Sequence, residues 1–279
     1  MYHFFVKEEN IDKEAHRVYI DGADYNHIRN VLRMHPGEEI SVGTGNDDDE
    51  YRCEIERFED AAVICKLMFI KPSSVESPVE MILFQGLPKA DKMEFIVQKF
   101  VELGVSGIVP VECKRSVVKL DAGKAKARIE RWQKIAEAAA KQSKRAVIPE
   151  IYDIMSMKEA VTFSQDMEIK MIPYELSEGM EATKEVFENL KKVVRNCSRL
   201  PLPENNPEAD EEKKTLAQQT KKARVAIFIG PEGGFDEEEV AMANEAGIVP
   251  LSLGKRILRT ETAGLNVIAW INYCLEVDL

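Results

Sequence analysis

The sequence predicts an α/β domain with a parallel sheet covered on both faces, preceded by a small β-barrel. Three observations carry this. From Glu80 onward, short apolar runs alternate with helical periodicity, the pattern of parallel strands joined by crossover helices. Before Lys71, four short segments rich in β-branched and aromatic residues are separated by turn signals, as in strands that close on themselves. Between the two lies Lys71-Pro72-Ser73-Ser74-Val75-Glu76-Ser77-Pro78, polar and carrying two prolines, where a domain boundary belongs. The expected domains are residues 1–72 and 78–279. A chain of 279 residues, 44% of them hydrophobic, is long enough to pack both cores.

In the first domain, residues 18–20, 39–42, 51–58 and 62–69 read as strands, punctuated by Asp21-Gly22, Pro36-Gly37 and the run Gly45-Asn46-Asp47-Asp48-Asp49. Residues 24–33 have helical spacing, with Ile28 and Leu32 on one face and Arg29 and Arg33 on the other. In the second domain, residues 80–85, 105–111, 168–173, 225–229 and 249–253 are the predicted strands. Residues 92–103, 123–144, 180–194, 236–246 and 263–277 are the predicted helices. Asp91 with Glu94 resembles a capping box, and Gly104 sits where a helix-terminating glycine belongs. Residues 196–224 break the order with Pro201, Pro203, Pro207 and a mixed-charge run. They read as a flexible excursion without chemistry, because such a segment cannot bury enough to offset its ordering entropy.

Composition excludes several classes. No stretch approaches the roughly 18 unbroken apolar residues of a membrane span. The amino terminus has no basic n-region with an apolar core behind it, so no signal peptide is expected. Cys53, Cys65, Cys113, Cys197 and Cys274 are scattered, without a CxxC pair, which points to reduced thiols and the cytoplasm. The four histidines, at positions 3, 16, 27 and 35, all precede the α/β domain, which therefore has no histidine base. No cluster has metal-ligand spacing, so no metal is expected. Charge is uneven. Residues 1–72 carry 9 basic against 16 acidic groups, whereas residues 114–145 carry 11 against 3. An acidic protein with one basic stretch suits a polyanion meeting one face; the same stretch also suits an ordinary solvated helix.

Three segments could carry chemistry. In Ile229-Gly230-Pro231-Glu232-Gly233-Gly234-Phe235-Asp236, a buried strand runs into a glycine-rich turn and then a helix, which brings bare backbone close to a ligand. Glu232, Asp236, Glu237, Glu238 and Glu239 around it would repel a phosphate, and neither a P-loop nor GxGxxG is present. A neutral or cationic ligand fits better, such as the sulfonium of S-adenosylmethionine (SAM). A tight turn before a capped helix accounts for the same residues. The second segment, Leu251-Ser252-Leu253-Gly254-Lys255-Arg256-Ile257-Leu258-Arg259-Thr260-Glu261-Thr262-Ala263, sets paired charges between hydroxyls, either as a salt bridge pinning a loop or as site groups. The third, Ile172-Pro173-Tyr174-Glu175, again lies at the carboxyl end of a strand, where open α/β sheets place ligands.

Taken in order, these segments resemble the 16S ribosomal RNA uracil-N3 methyltransferases, the RsmE family of the SPOUT superfamily. Asn30-Val31-Leu32-Arg33, Leu87-Pro88-Lys89, Val97-Gln98-Lys99, Glu102-Leu103-Gly104-Val105, Arg115-Ser116-Val117-Val118-Lys119 and Arg131-Trp132 extend the match over nearly the whole chain. The resemblance implies a PUA-like barrel, a SPOUT domain tied in a deep trefoil knot, a homodimer, and SAM as cofactor. It implies that Ile172–Glu175, Ile229–Gly234 and Leu251–Ala263 hold the cofactor, with Glu232 suited by charge to its cationic end. Arg259 would then stabilise the developing uracil anion, with Glu261 orienting it or accepting a proton. Arg29, Arg33, Lys114, Arg115, Lys119, Arg131, Lys141, Lys144 and Arg145 would hold the phosphates of 16S rRNA in the small ribosomal subunit. Related readings are a ribose 2′-O or transfer-RNA methyltransferase of the same superfamily, and an rRNA-binding assembly factor without chemistry. Two positions depart from the pattern. Cys113-Lys114 stands where a Ser-Glu pair is expected. Gly264 replaces an expected alanine, which should weaken the last helix.

Overall fold

The computed structural model of the protein describes residues 1–177, 179–197 and 222–277. The predicted excursion at 196–224 lies mostly outside them; of its ends, residues 196–197 close a helix and residues 223–224 open a strand. Among the described residues no helix is long and apolar enough to cross a membrane. The chain divides into two units. The first comprises Met1–Glu76 with Ala136–Pro149, and the second Ser77–Ile135 with Glu150–Leu279.

The first unit is built on one six-stranded sheet. Its strands are β1 (His3–Phe5), β2 (Ile11–Asp12), β3 (Arg17–Asp21), β4 (Glu39–Gly43), β5 (Asp49–Phe58) and β6 (Ala62–Pro72), in the order β1-β4-β5-β6-β3-β2. All pairs are antiparallel except β1 with β4. Alternation sends Val18, Ile20, Ile40, Val42, Tyr51, Cys53 and Ile55 into one core. Two register shifts between β5 and β6 mark bulges, which let these long strands bend around it. Helix α1 (Gly22–Asn26) continues into a wider turn over His27–Val31 and buries Tyr25 and Ile28. The sequence reading lacks β1 and β2, which are too short to show alternation. It also leaves residues 136–149 in the second domain. In the structure these cluster with the first unit: Lys141 pairs with Asp24 at 2.9 Å, and the backbone amides of Ala146 and Val147 bond to Glu76.

His3 is buried in this unit, with Nδ1 3.0 Å from the Ser41 hydroxyl, which donates to Glu50 at 2.8 Å. Loss of hydration on burial pulls its pKa down to about 4. The unfolded chain binds this proton near pH 6.5, so the native state becomes less stable as pH falls from there toward 4. At pH 5 the loss is about 2 kcal/mol. Melting curves should therefore fall more between pH 7 and pH 5 for the wild type than for His3→Asn; equal falls would contradict this.

The second unit is a parallel α/β sheet. Its strands are β7 (Val79–Gly86), β8 (Gly107–Glu112), β9 (Glu150–Ile151), β10 (Met155–Ser156), β11 (Ile169–Pro173), β12 (Ala223–Ile229) and β13 (Val249–Leu251). The order is β10-β8-β7-β12-β11-β13, with β9 beside β8, and every pairing is parallel. The central strands β7 and β12 have unbroken apolar centres, residues 81–84 and 225–229, because both faces are covered. Phe84 stacks on Phe228 with ring centroids 4.3 Å apart. The helices are α2 (Lys92–Glu102), α3 (Ala122–Gln142, which enters the first unit at Ala136), α4 (Met157–Phe163), α5 (Glu181–Cys197), α6 (Glu237–Glu245) and α7 (Thr260–Glu276).

Local chemistry explains most boundaries and corrects one. Asp91 makes no side-chain cap on α2, so the expected capping box does not form; Glu94 pairs with Arg131 at 2.9 Å instead. Complete capping boxes occur on α4, from Ser156 and Glu159, and on α6, from Asp236 and Glu239. Gly104 ends α2 at a φ of +95°, as predicted. Gly264 is more than a weak helix former. A Cβ there would lie 2.9 Å from Cε1 of the buried Phe100 ring and closer still to Cζ.

Candidate functional site

Strands β11, β12 and β13 run parallel, so their carboxyl ends deliver three segments to one rim of the sheet. There they line a cleft of about 460 Å³. Pro173, Tyr174 and Glu175 come from β11. Ile229, Gly230, Pro231, Glu232 and Gly234 come from β12. Ser252, Leu253, Gly254, Ile257, Leu258, Arg259, Thr260 and Ala263 follow β13. Five candidates do not line it. Ile172 and Leu251 are wholly buried in the sheet. Gly233 is packed against Arg115, Thr262 is exposed on α7, and Glu261 stands half-buried beside Lys92.

Close backbone approach shapes the cleft. Gly86 closes β7, and a Cβ on it would lie 2.5 Å from Pro231 Cδ and 2.6 Å from Pro231 N, so only glycine lets the strand end meet the turn. Beside it, the fully buried Gln85 donates from Nε2 to Gly86 O and to the Thr260 hydroxyl, both at 2.9 Å. Thr260 in turn donates to Gly230 O at 2.6 Å. This relay fixes the start of α7 at Thr260, three residues earlier than the apolar periodicity suggests. Arg259 thus precedes the first helical residue, and Glu261 sits in the first turn. Thr260→Val keeps the shape but leaves Gly230 O without this donor and Gln85 Nε2 with Gly86 O alone. A loss of about 1–3 kcal/mol is expected, read as a lower melting temperature with weaker ligand binding in the cleft. An unchanged melting temperature would dismiss the relay.

The charges at the cleft differ from the expected pairing. Glu232 accepts from the Lys89 amide at 3.1 and 3.2 Å and pairs with Lys92 Nζ at 3.1 Å. Burial pushes its pKa up, but its own amide, that of Lys89 and the Lys92 ammonium outweigh this and hold it below the usual carboxylate range. Glu261 lies 3.6 Å from the same Lys92 Nζ. Arg259, the partner expected for Glu261, is exposed and makes no side-chain hydrogen bond or ion pair among the described residues. Sequence reasoning missed Lys92, Gln85 and Gly86. Lys92 opens a helix far upstream in the chain, and no local pattern ties it to the two acids.

The nine expected RNA contacts also separate. In the first unit, Arg33 and Lys144 are exposed, both in left-handed backbone conformations. Arg29 bonds the Tyr25 hydroxyl and lies over the Tyr25 and Phe58 rings, while Lys141 is held by Asp24. Arg145 is corrected. Its side chain is 4% exposed and paired at 2.7 Å with Glu76, itself 7% exposed, so it is a core ion pair. In the second unit Lys119 is exposed, and Arg131 is tied to Glu94. Lys114 pairs with Asp236 and Glu238, and Arg115 with Asp236. Cys113 is buried, and burial raises its pKa, so it fills space and is no nucleophile.

Residues 75–200 and 180–272 match the RNA methyltransferase domain, and residues 20–67 the RNA methyltransferase PUA domain. The fold and cleft are thus those of an RNA methyltransferase with a PUA-like domain before it. The chain is 35% identical to the ribosomal RNA small subunit methyltransferase E of Bacillus subtilis over 95% of its length and 93% of that protein. It belongs to that methyltransferase E family. The structure of the ribosomal RNA small subunit methyltransferase E of Neisseria gonorrhoeae bound to S-adenosyl methionine matches at a TM-score of 0.72 and 28% identity, covering 98% of this chain and 97% of that one. A Legionella pneumophila structure in complex with the cofactor SAM matches at 0.70 and 27%, covering 97% and 96%.

Proposed function

We propose that this protein uses SAM to methylate N3 of one uridine in the 16S rRNA of the small ribosomal subunit, acting in the cytoplasm as a homodimer. The observation that carries the reading is the cleft, where three strand-end segments meet around a glycine turn. Its volume of about 460 Å³ is in the range of small-molecule sites. Glu175 and Glu232 line it beside Lys92, Lys255, Arg256 and Arg259, so it offers charged partners of both signs to a zwitterionic ligand. The segments Pro173–Glu175, Ile229–Gly234 and Ser252–Ala263 would hold SAM, which supplies an electrophilic methyl group when bound.

The chain's own residues must then orient the uracil and manage its charge. N3 of uracil is a weak acid, so methylation needs its proton removed and the developing anion stabilised. Arg259 lines the cleft without an internal partner, which leaves its guanidinium free for that anion. Arg33, Lys119 and Lys144, exposed and unpaired among the described residues, would meet phosphates, together with the more constrained Arg29, Lys114, Arg115, Arg131 and Lys141. Homodimerisation is proposed through α7, where Tyr273 is 56% exposed and Leu265 and Trp270 are only half-buried. The knotted threading of the β8-β7-β12-β11-β13 sheet is proposed from the family resemblance.

Calorimetric titration with SAM, combined with single-turnover methylation by Arg259→Ala, tests this reading. We expect the variant to keep its SAM affinity within about threefold and to lose about 100-fold in rate. Full turnover in the variant would remove Arg259 from the chemistry. Failure of the wild type to bind SAM would leave an RNA-binding protein without catalysis.

A further inference from the structure

Two carboxylates beside the cleft share one cation and differ in everything else. Lys92, the first residue of α2, lines the cleft with Nζ 3.1 Å from Glu232 Oε1 and 3.6 Å from Glu261 Oε2. Glu232 is held in place by that ammonium and by the Lys89 amide. Among the described residues Glu261 Oε2 is buried and accepts no hydrogen bond, and the ammonium is the one cation paired with it. Three charged groups thus carry a net charge of −1, and one further proton makes the cluster neutral. When two acids share a site, the difference between their surroundings assigns their roles. Glu232 is engaged by several donors, whereas Glu261 Oε2 has no hydrogen bond and is left to act as an acceptor.

We infer that Lys92 is a positioning residue that locks Glu232 as a permanent anion and aims Glu261 as the acceptor of the uracil N3 proton. This rests on the function proposed above. The N–H bond of N3 breaks, its proton forms an O–H bond on Glu261, and the electron pair stays on N3 as the nucleophile. Glu261 then returns the proton to water. Lys92 comes from a different element than either acid, so it also ties the glycine turn to the first turn of α7.

The test uses the full-length protein and the variants Lys92→Met, Lys92→Arg, Glu261→Gln and Glu232→Gln. Four readouts are compared: melting temperature, SAM affinity by calorimetry, single-turnover 3-methyluridine formation, and its pH profile. Glu261→Gln should keep SAM affinity and lose about 100-fold in rate. Lys92→Met should lose about tenfold at neutral pH, with the acid limb of its profile moved to higher pH, and Lys92→Arg should restore most of both. Glu232→Gln, which cannot be the acceptor, should keep the acid limb and move it to lower pH, because it removes a like charge and leaves Lys92 to Glu261. Three results overturn the inference: an active Glu261→Gln, a Lys92→Met with an unmoved pH profile, or a Glu232→Gln that abolishes the acid limb. If Lys92→Met fails to fold, Lys92→Arg and Glu261→Gln decide between the same outcomes. A wild type that forms no 3-methyluridine fails the function proposed above, whereas an active wild type with an active Glu261→Gln fails only the present inference.

Discussion

Glu76→Ala is expected to destabilise the protein by about 3–5 kcal/mol, the usual consequence of leaving one member of a buried ion pair without its partner. Glu76 Oε2 lies 2.7 Å from Arg145 Nη2, and Oε1 accepts from Arg145 Nε and from the amides of Ala146 and Val147. Alanine would take the carboxylate away from the guanidinium and from two backbone donors in a region closed to water. Glu76→Gln, which keeps an acceptor for the amides, should lose less. Arg145→Met, which removes the charge itself and fills its space, should be milder still. Thermal melting of the three variants gives this order directly. If Arg145 instead served RNA, Arg145→Met would melt with the wild type and bind small subunits more weakly.

Gly264→Ala is the second large effect, and its sign is opposite to that expected from helix propensity. On an exposed helix, alanine for glycine is stabilising by about 1 kcal/mol. At this position α7 packs on α2, and the added methyl would overlap the Phe100 ring, which is wholly buried and has nowhere to turn. Overpacking of this kind costs about 1–3 kcal/mol or more, so a net loss of about 2 kcal/mol is expected, a fall of roughly 4–8 °C in melting temperature. The same clash would push the start of α7, and so Thr260, away from Gly230, which weakens binding in the cleft. Phe100→Leu in the same chain should recover much of the loss, because the two residues are in contact and their effects do not add. A Gly264→Ala variant more stable than the wild type would show that propensity dominates.

The strands and helices of the α/β unit were legible because their signals are local: an unbroken apolar run such as Ile227-Phe228-Ile229, or a glycine after a periodic face as at Gly104. The three strand-end segments were legible for the same reason, and the cleft collects most of their residues. What the sequence hides is contact between distant elements. Lys92 meets Glu232 and Glu261 only once α2 packs beside α7, and Arg145 reads as an ordinary member of a basic stretch until Glu76 is placed against it. Gly264 looks like a defect until Phe100 is seen across it. The start of α7 is hidden in the sequence because a polar run, Arg259-Thr260-Glu261-Thr262, leads into the helix; it is set by a hydrogen bond to Gly230, not by apolar periodicity.

The most direct test of the account is nucleoside mass spectrometry of small ribosomal subunits that lack base methylation, after incubation with the protein and labelled SAM. The expected result is labelled 3-methyluridine in the 16S rRNA, which reports the reaction, the atom and the substrate together. Label appearing on a ribose 2′-oxygen or in transfer RNA, or no transfer at all despite SAM binding, would contradict it.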